Sequence, residues 1–152
     1  MPTTSATPTK ADDPVAAKIP KAARAKTQRG AEAFAAFYMT QVNRAFTRAD
    51  PTQLEGLSRP GCNICRAFEE GAEDMKKEGV HHQGLSIEPT SATIQRYDEV
   101  AQSVLVWTTQ HSVPVVNREG KQVRTTTGSK GIFLATLVYD KHWWVNKLQV
   151  AK

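Results

Sequence analysis

GAEAFAAFYMTQVNRAF, residues 30–46, decides the fold. Phe34, Phe37, Tyr38, Val42, Ala45 and Phe46 recur at steps of three and four, which places them on one face of an amphipathic helix. So wide an apolar stripe needs a curved partner. The predicted helix covers residues 28–48 and stops at Asp50-Pro51, because Pro51 cannot continue it. Pro51 does suit the first turn of a new helix with Asp50 as its N-cap, so Leu54 and Leu57 fall on a short second helix. A third runs from about Asn63 to Glu78, buries Ile64, Phe68, Ala72 and Met75, and ends at Gly79. Glu69, Glu70, Glu73, Asp74, Lys76 and Lys77 lie mainly on its other side, and read as a solvated charged face rather than a metal site.

After Gly79 the period changes. Residues 84–88, 92–97, 100–116, 131–139 and 143–150 are rich in Val, Ile, Thr, Leu and aromatics, with turn residues between them, as expected of strands joined by hairpins. Residues 117–130 hold Gly120 and Gly128 and read as a long hairpin tip or a mobile loop. His81 and His82 read as loop residues before the sheet. Helices first and a meandering sheet afterwards give an α+β fold, with N-terminal helices packed in a strongly curved antiparallel sheet.

The 152 residues suffice for one domain with a core. Residues 1–26, rich in Pro, Thr, Ser, Ala and Lys, read as a disordered tether, and residues 27–152 as the folded domain. The net charge of +5 is mostly in the tail: residues 1–30 carry six bases against two acids, and the remainder holds 14 basic and 13 acidic residues. The folded part therefore lacks the basic face that nucleic-acid binding requires. No window reaches the roughly 18 apolar residues of a membrane span, and no signal-like apolar run follows Met1. No nucleophile elbow, phosphate loop, paired-histidine metal helix or nucleotide fingerprint occurs, and the sequence calls for no cofactor or metal.

The run from Gly30 to Tyr38, then Arg48-Ala49-Asp50 ahead of Leu54, and the closing Trp143-Trp144-Val145-Asn146-Lys147-Leu148 resemble the nuclear transport factor 2-like superfamily. In that superfamily a bent antiparallel sheet wraps a long N-terminal helix into a cone. More narrowly, Gly-x-x-x-Phe-x-x-Phe-Tyr, Asp50, Leu57-Ser58, Cys62-x-x-Cys65 and Gly79 resemble an uncharacterised actinobacterial family of lipoprotein-like domains of unknown function. The resemblance implies export, normally by a signal peptide and a lipidated cysteine ahead of a linker like residues 2–20. It also implies a pocket inside the cone, which in ketosteroid isomerase holds a general base. The candidates for such a lining are Tyr38, Tyr97, Trp107, His111 and Trp144, with Asp98 as a further carboxylate. On a strand Leu105, Trp107, Thr109 and His111 share one face, which would put His111 in line with an aromatic lining. Against this, Asp98 lies in a turn, His111 nears a strand end and the aromatics suit an ordinary core.

Cys62 and Cys65, the only cysteines, admit four readings. At helical i, i+3 spacing their Cβ atoms stand about 5–6 Å apart, long for a disulfide, but a first helical turn can tighten to that. A structural disulfide leads, given the exported look. A thioredoxin-like redox pair lacks the preceding strand, zinc would need better-spaced histidines than His81 and His82, and a reduced packed pair is the fourth. The leading function is a non-catalytic extracytoplasmic binding or interaction module, taking a small apolar ligand or an envelope protein, with a homodimer through the sheet also open. The alternatives are a small pocket enzyme of the isomerase or dehydratase kind, and a thiol redox protein using Cys62 and Cys65.

Overall fold

The computed structural model describes residues 14–151. In chain order it has α1 (Pro14–Lys18), a 3-10 turn (Lys21–Ala23), α2 (Gln28–Arg48), a second 3-10 turn (Pro51–Leu54) and α3 (Asn63–Glu78). Seven strands follow: β1 (Val80–His82), β2 (Ile87–Tyr97), β3 (Gln102–Gln110), β4 (Pro114–Asn117), β5 (Gln122–Thr125), β6 (Ser129–Asp140) and β7 (His142–Ala151). All pairing between them is antiparallel, in a four-stranded sheet ordered β2-β3-β6-β7 and a three-stranded sheet ordered β1-β4-β5. The expected α+β class is the observed one.

α2 occupies the expected residues because its ends are well specified. The Thr27 hydroxyl accepts from the Gly30 N–H at the start, and Ala49 turns left-handed at φ 51° at the stop. Its buried face carries Phe34, Tyr38, Met39 and Val42, while Phe37 and Phe46 are only partly covered. The sheet presents Val104 and Val106 of β3, Ala135 and Leu137 of β6, and Trp143, Val145 and Leu148 of β7 to the same core. Asp50 caps the second 3-10 turn through Thr52 N–H, with Leu54 and Leu57 fully buried behind it.

The single strand expected over 100–116 is interrupted. It breaks after Gln110, and residues 114–117 leave to pair with β1 and β5. His81 and His82 thereby become strand residues, paired with Val116 and Val115. Within 117–130, residues 118–121 are the turn of the β4–β5 hairpin, which places Gly120 at φ 83°, a conformation that glycine adopts without strain, and β6 begins at Ser129.

The N-terminal boundary also differs from expectation. Residues 1–13 of the expected tether lie outside the described residues, but 14–26 are built into the domain. Ile19 and Ala23 are fully buried in the main core. Three aromatic donors from distant strands fasten the segment's end: Trp143 Nε1–H to Ala25 O (2.8 Å), Tyr97 O–H to Lys26 O (3.2 Å) and Tyr139 O–H to Arg24 O (3.4 Å). At the other end Lys18 Nζ donates to Glu55 O at 3.0 Å, with Gln53 O and Thr52 O at 3.3 and 3.4 Å. Composition could not announce this, because the anchoring groups belong to β2, β6 and β7. The close approach also fixes Gly30, whose hypothetical Cβ would stand 1.9 Å from Ala25 O.

Ile19→Ala is therefore expected to destabilise the domain by about 2–4 kcal/mol, the usual range for truncating a fully buried isoleucine. Urea denaturation checks it. A change within error would mean that the segment is not part of the cooperative unit.

Candidate functional site

The residue pattern of β3 and β6 leaves a hollow beside α2. Gln102, Val104, Val106 and Thr108 alternate inward along β3. Opposite them Thr108 pairs with Gly131 and Gln110 with Ser129, so the last inward rows carry small or flexible side chains and a glycine with none. The result is a cavity of about 290 Å³. Met39 of α2, Phe68 of α3, Ile87, Phe133 and Val150 form its apolar wall, and Gln110 and Ser129 its mouth. A Cβ on Gly131 would meet no atom within 4 Å.

Polar atoms in this region are few. The Thr108 hydroxyl is buried without a protein hydrogen-bond partner. At the mouth Ser129 Oγ donates to Gln110 Oε1 at 3.0 Å. Among the described residues no histidine or carboxylate belongs to the lining.

Two titratable arrangements stand near it, and no histidine of either belongs to its lining. Asn43 Oδ1 accepts from Ser86 N–H (2.9 Å), Ile87 N–H (3.1 Å) and the Ser86 hydroxyl (3.1 Å). The Ser86 hydroxyl also lies 2.9 Å from His82 Nδ1, in a contact whose donor follows the histidine tautomer. Burial, with Arg124 and His81 adding to it, holds His82 below the ordinary histidine range. The second arrangement is His111 Nε2 against Glu88 Oε1 at 2.9 Å, with both side chains about two-fifths exposed.

His111 thus has a carboxylate partner that the sequence did not reveal, yet it does not line the cavity. None of the five expected lining residues does. Trp107 is exposed on the far side of β3, with Leu105 and Thr109, so the face expected to be inward is the outward one. Tyr97 O–H reaches Lys26 O near the opposite end of the sheet. Trp144 sits in a surface stack, 4.4 Å from the His142 ring and 4.6 Å from the Arg59 guanidinium. Tyr38 is core, its hydroxyl without a protein partner and its phenol pushed up by burial and by Glu69. Asp98 caps its own turn, accepting from Val100 and Ala101 N–H. The residues that do form the site, Thr108, Gln110 and Gly131, carried no signal beyond sharing strand parity with Val104 and Val106.

Cys62 and Cys65 form a disulfide, with Cα atoms 5.2 Å apart and both residues fully buried. The spacing works because Cys62 is not inside α3 but is its N-cap, in extended conformation, and its Sγ accepts from Cys65 N–H at 3.3 Å. Among the described residues no cluster of three or more His, Cys, Asp or Glu could hold a metal ion, and no helix is long and apolar enough to cross a membrane.

A family model covers residues 4–149 of the sequence. The chain belongs to the DUF6318 family, a family of unknown function. No curated protein matches the DUF6318 chain in sequence. In structure it is similar to the intermembrane space region of the chloroplast protein ARC6, with 11% identity over 83% of this chain and 97% of that one and a TM-score of 0.56. It is also similar to Aln2 from a Streptomyces species, with 15% identity over 85% and 93% and a TM-score of 0.52. At these identities the likeness is one of fold.

Two outcomes follow for this DUF6318 domain. Cys62→Ala/Cys65→Ala should lower stability by about 2 kcal/mol through restored chain entropy alone, read by denaturant melts, while native protein shows no alkylatable thiol by intact mass. Glu69 gives a pH effect of defined sign. Its carboxyl is raised by burial, with Arg66 opposing and Glu70 adding, so protonation favours the folded state and stability falls as pH rises through its folded value. Glu69→Gln should therefore raise Tm slightly at pH 7 and leave it unchanged at pH 3; an equal rise at both would sink the assignment.

Proposed function

We propose that this DUF6318 domain is a non-catalytic, extracytoplasmic binding module with a nuclear transport factor 2-like cone, tethered at the envelope through its N-terminal segment. It takes a small apolar ligand into the cavity between α2, α3 and the sheet. The observation that carries this reading is the cavity's lining: an apolar wall around a buried, unpaired Thr108 hydroxyl. Ligand sites are commonly of this make, mostly apolar with a few polar groups to orient the guest.

Export is supported by the fully buried disulfide, since such bonds persist in oxidising compartments. The same burial speaks against thiol redox work, which needs an accessible thiolate. The isomerase-like reading loses its motive with the placement of His111 and Asp98, because neither reaches the cavity from its surface position.

Filling the hollow tests the reading. Gly131→Leu places a branched side chain on the inward row, and is expected to weaken binding of an environment-sensitive apolar dye at least tenfold while leaving the melting temperature within a few degrees. Dye binding that survives Gly131→Leu would move the site elsewhere.

A further inference from the structure

We propose a second binding site, for the phosphate of a phosphomonoester, in the hollow between the N-terminal segment and the β6–β7 turn. It lies at the other end of β6 from the cavity, shares no lining residue with it, and stands or falls independently of it. The hollow measures about 320 Å³ and is lined by Lys21 and Arg24 of that segment and by Tyr139, Lys141 and His142 at the turn. Among the described residues no acid belongs to the lining. Nor do Lys21, Arg24 and Lys141 form an ion pair among them. The acid next in the chain, Asp140, is held by Arg59 at 3.1 Å. Lys26 adds a further positive charge over the Tyr139 ring, 5.5 Å from its centroid.

The segment's own backbone fixes the Arg24 guanidinium. Its Nε donates to Ile19 O at 2.7 Å and its Nη2 to Ala17 O at 3.3 Å, which folds the side chain back against the stretch of chain that bounds the hollow. These two bonds leave the other guanidinium N–H groups for a guest. Carbonyls that would repel an anion are already engaged, since Arg24 O accepts from Tyr139 O–H and Ala25 O from Trp143 Nε1–H. His142 Nε2 donates to Gly56 O at 3.0 Å, and its Nδ1 is the buried side-chain polar atom of the lining that has no protein partner. Lys21 lies in a 3-10 turn and Lys141 between the paired Asp140 and His142, so neither is committed by strand parity to one face of the sheet. Both are exposed, and a flexible four-carbon stem lets each ammonium close on an anion held by Arg24. Gathered cations without a counter-charge repel one another, and an anion relieves that. Three of them suit a group with more than one negative charge: a phosphomonoester carries about 1.5 to 2 at neutral pH, where a carboxylate carries one. Guanidinium and ammonium both bind phosphate, and a guanidinium already held in place loses little freedom in doing so.

The test is isothermal titration of the full chain with glycerol 3-phosphate, with glycerate as the carboxylate comparison, and co-sedimentation with phosphatidylcholine vesicles that contain or lack phosphatidic acid. Glycerol 3-phosphate is expected to bind at least tenfold tighter than glycerate. Lys21→Gln/Lys141→Asn removes two charges, and asparagine tolerates the φ of 71° at position 141. It should weaken glycerol 3-phosphate at least tenfold while the melting temperature stays within a few degrees. Lys77→Gln/Lys147→Gln removes as much charge from exposed positions elsewhere and should leave binding within twofold. The vesicle arm names the source of the phosphate. Capture by phosphatidic acid vesicles that glycerol 3-phosphate competes away assigns a lipid headgroup, and soluble binding without capture assigns a soluble ester. Equal binding of glycerate overturns the phosphate assignment. The site itself is overturned by no binding in either arm, by capture that the soluble ester does not compete, by binding that Lys21→Gln/Lys141→Asn leaves unchanged, or by equal losses in the two double variants.

Discussion

The rest of the structure depends on how α2 is fixed to the edge strand of the large sheet. Two side chains on the helix do this, eleven residues apart and near opposite ends. Asn43 Oδ1 gathers Ser86 N–H, Ile87 N–H and the Ser86 hydroxyl, and Glu32 Oε2 accepts from Ile94 N–H at 2.8 Å. These bonds satisfy backbone donors on an edge strand, which would otherwise be open to pairing with another chain. They also set the helix along β2 in one register. Hydrophobic contact alone is non-directional and would let the apolar stripe slide. With the helix so placed, Phe34, Tyr38 and Val42 fall over Val104 and Val106, and Met39 lies where the sheet's inward side chains become small.

The helices were legible because their signals are local. Asp50, Pro51 and Gly79 mark starts and stops by local chemistry, and each is read within a few residues of itself. The sheet's inward face was not legible in the same way. Along β3 both parities are apolar, Val104 and Val106 on one and Leu105 and Trp107 on the other, so alternation could not say which faced the helix. The larger residues suggested the core. The structure places Trp107 outside because the other face is already filled by α2, and the smaller valines fit beneath it. Every candidate drawn from that one choice of face, His111 included, moved with it.

The N-terminal segment failed to announce itself for a different reason. A segment with one isoleucine and two prolines looks too poor in apolar residues to order. What orders it is a set of unsatisfied carbonyls at residues 24–26 that meet Tyr139, Trp143 and Tyr97, donors more than seventy positions away. The disulfide is intermediate in legibility. It led among four readings of the two cysteines, but the reason it closes, with Cys62 outside the helix as its cap, needed the backbone.

The cavity itself follows from a choice at one position. Thr108 lies on the inward row that Val104 and Val106 also occupy, where valine would be the matching shape without a hydroxyl. A buried hydroxyl left without a partner costs about 1–3 kcal/mol relative to one that is paired. Across from it stands Gly131, which gives up both side-chain packing and strand propensity. Two directly paired residues that each forgo packing, next to an inward row formed by Val106 and Phe133, are difficult to explain by the core's own needs. They agree with each other if the space between them is meant to be filled from outside, since an occupant would restore the packing that Gly131 omits and meet the hydroxyl that Thr108 leaves open.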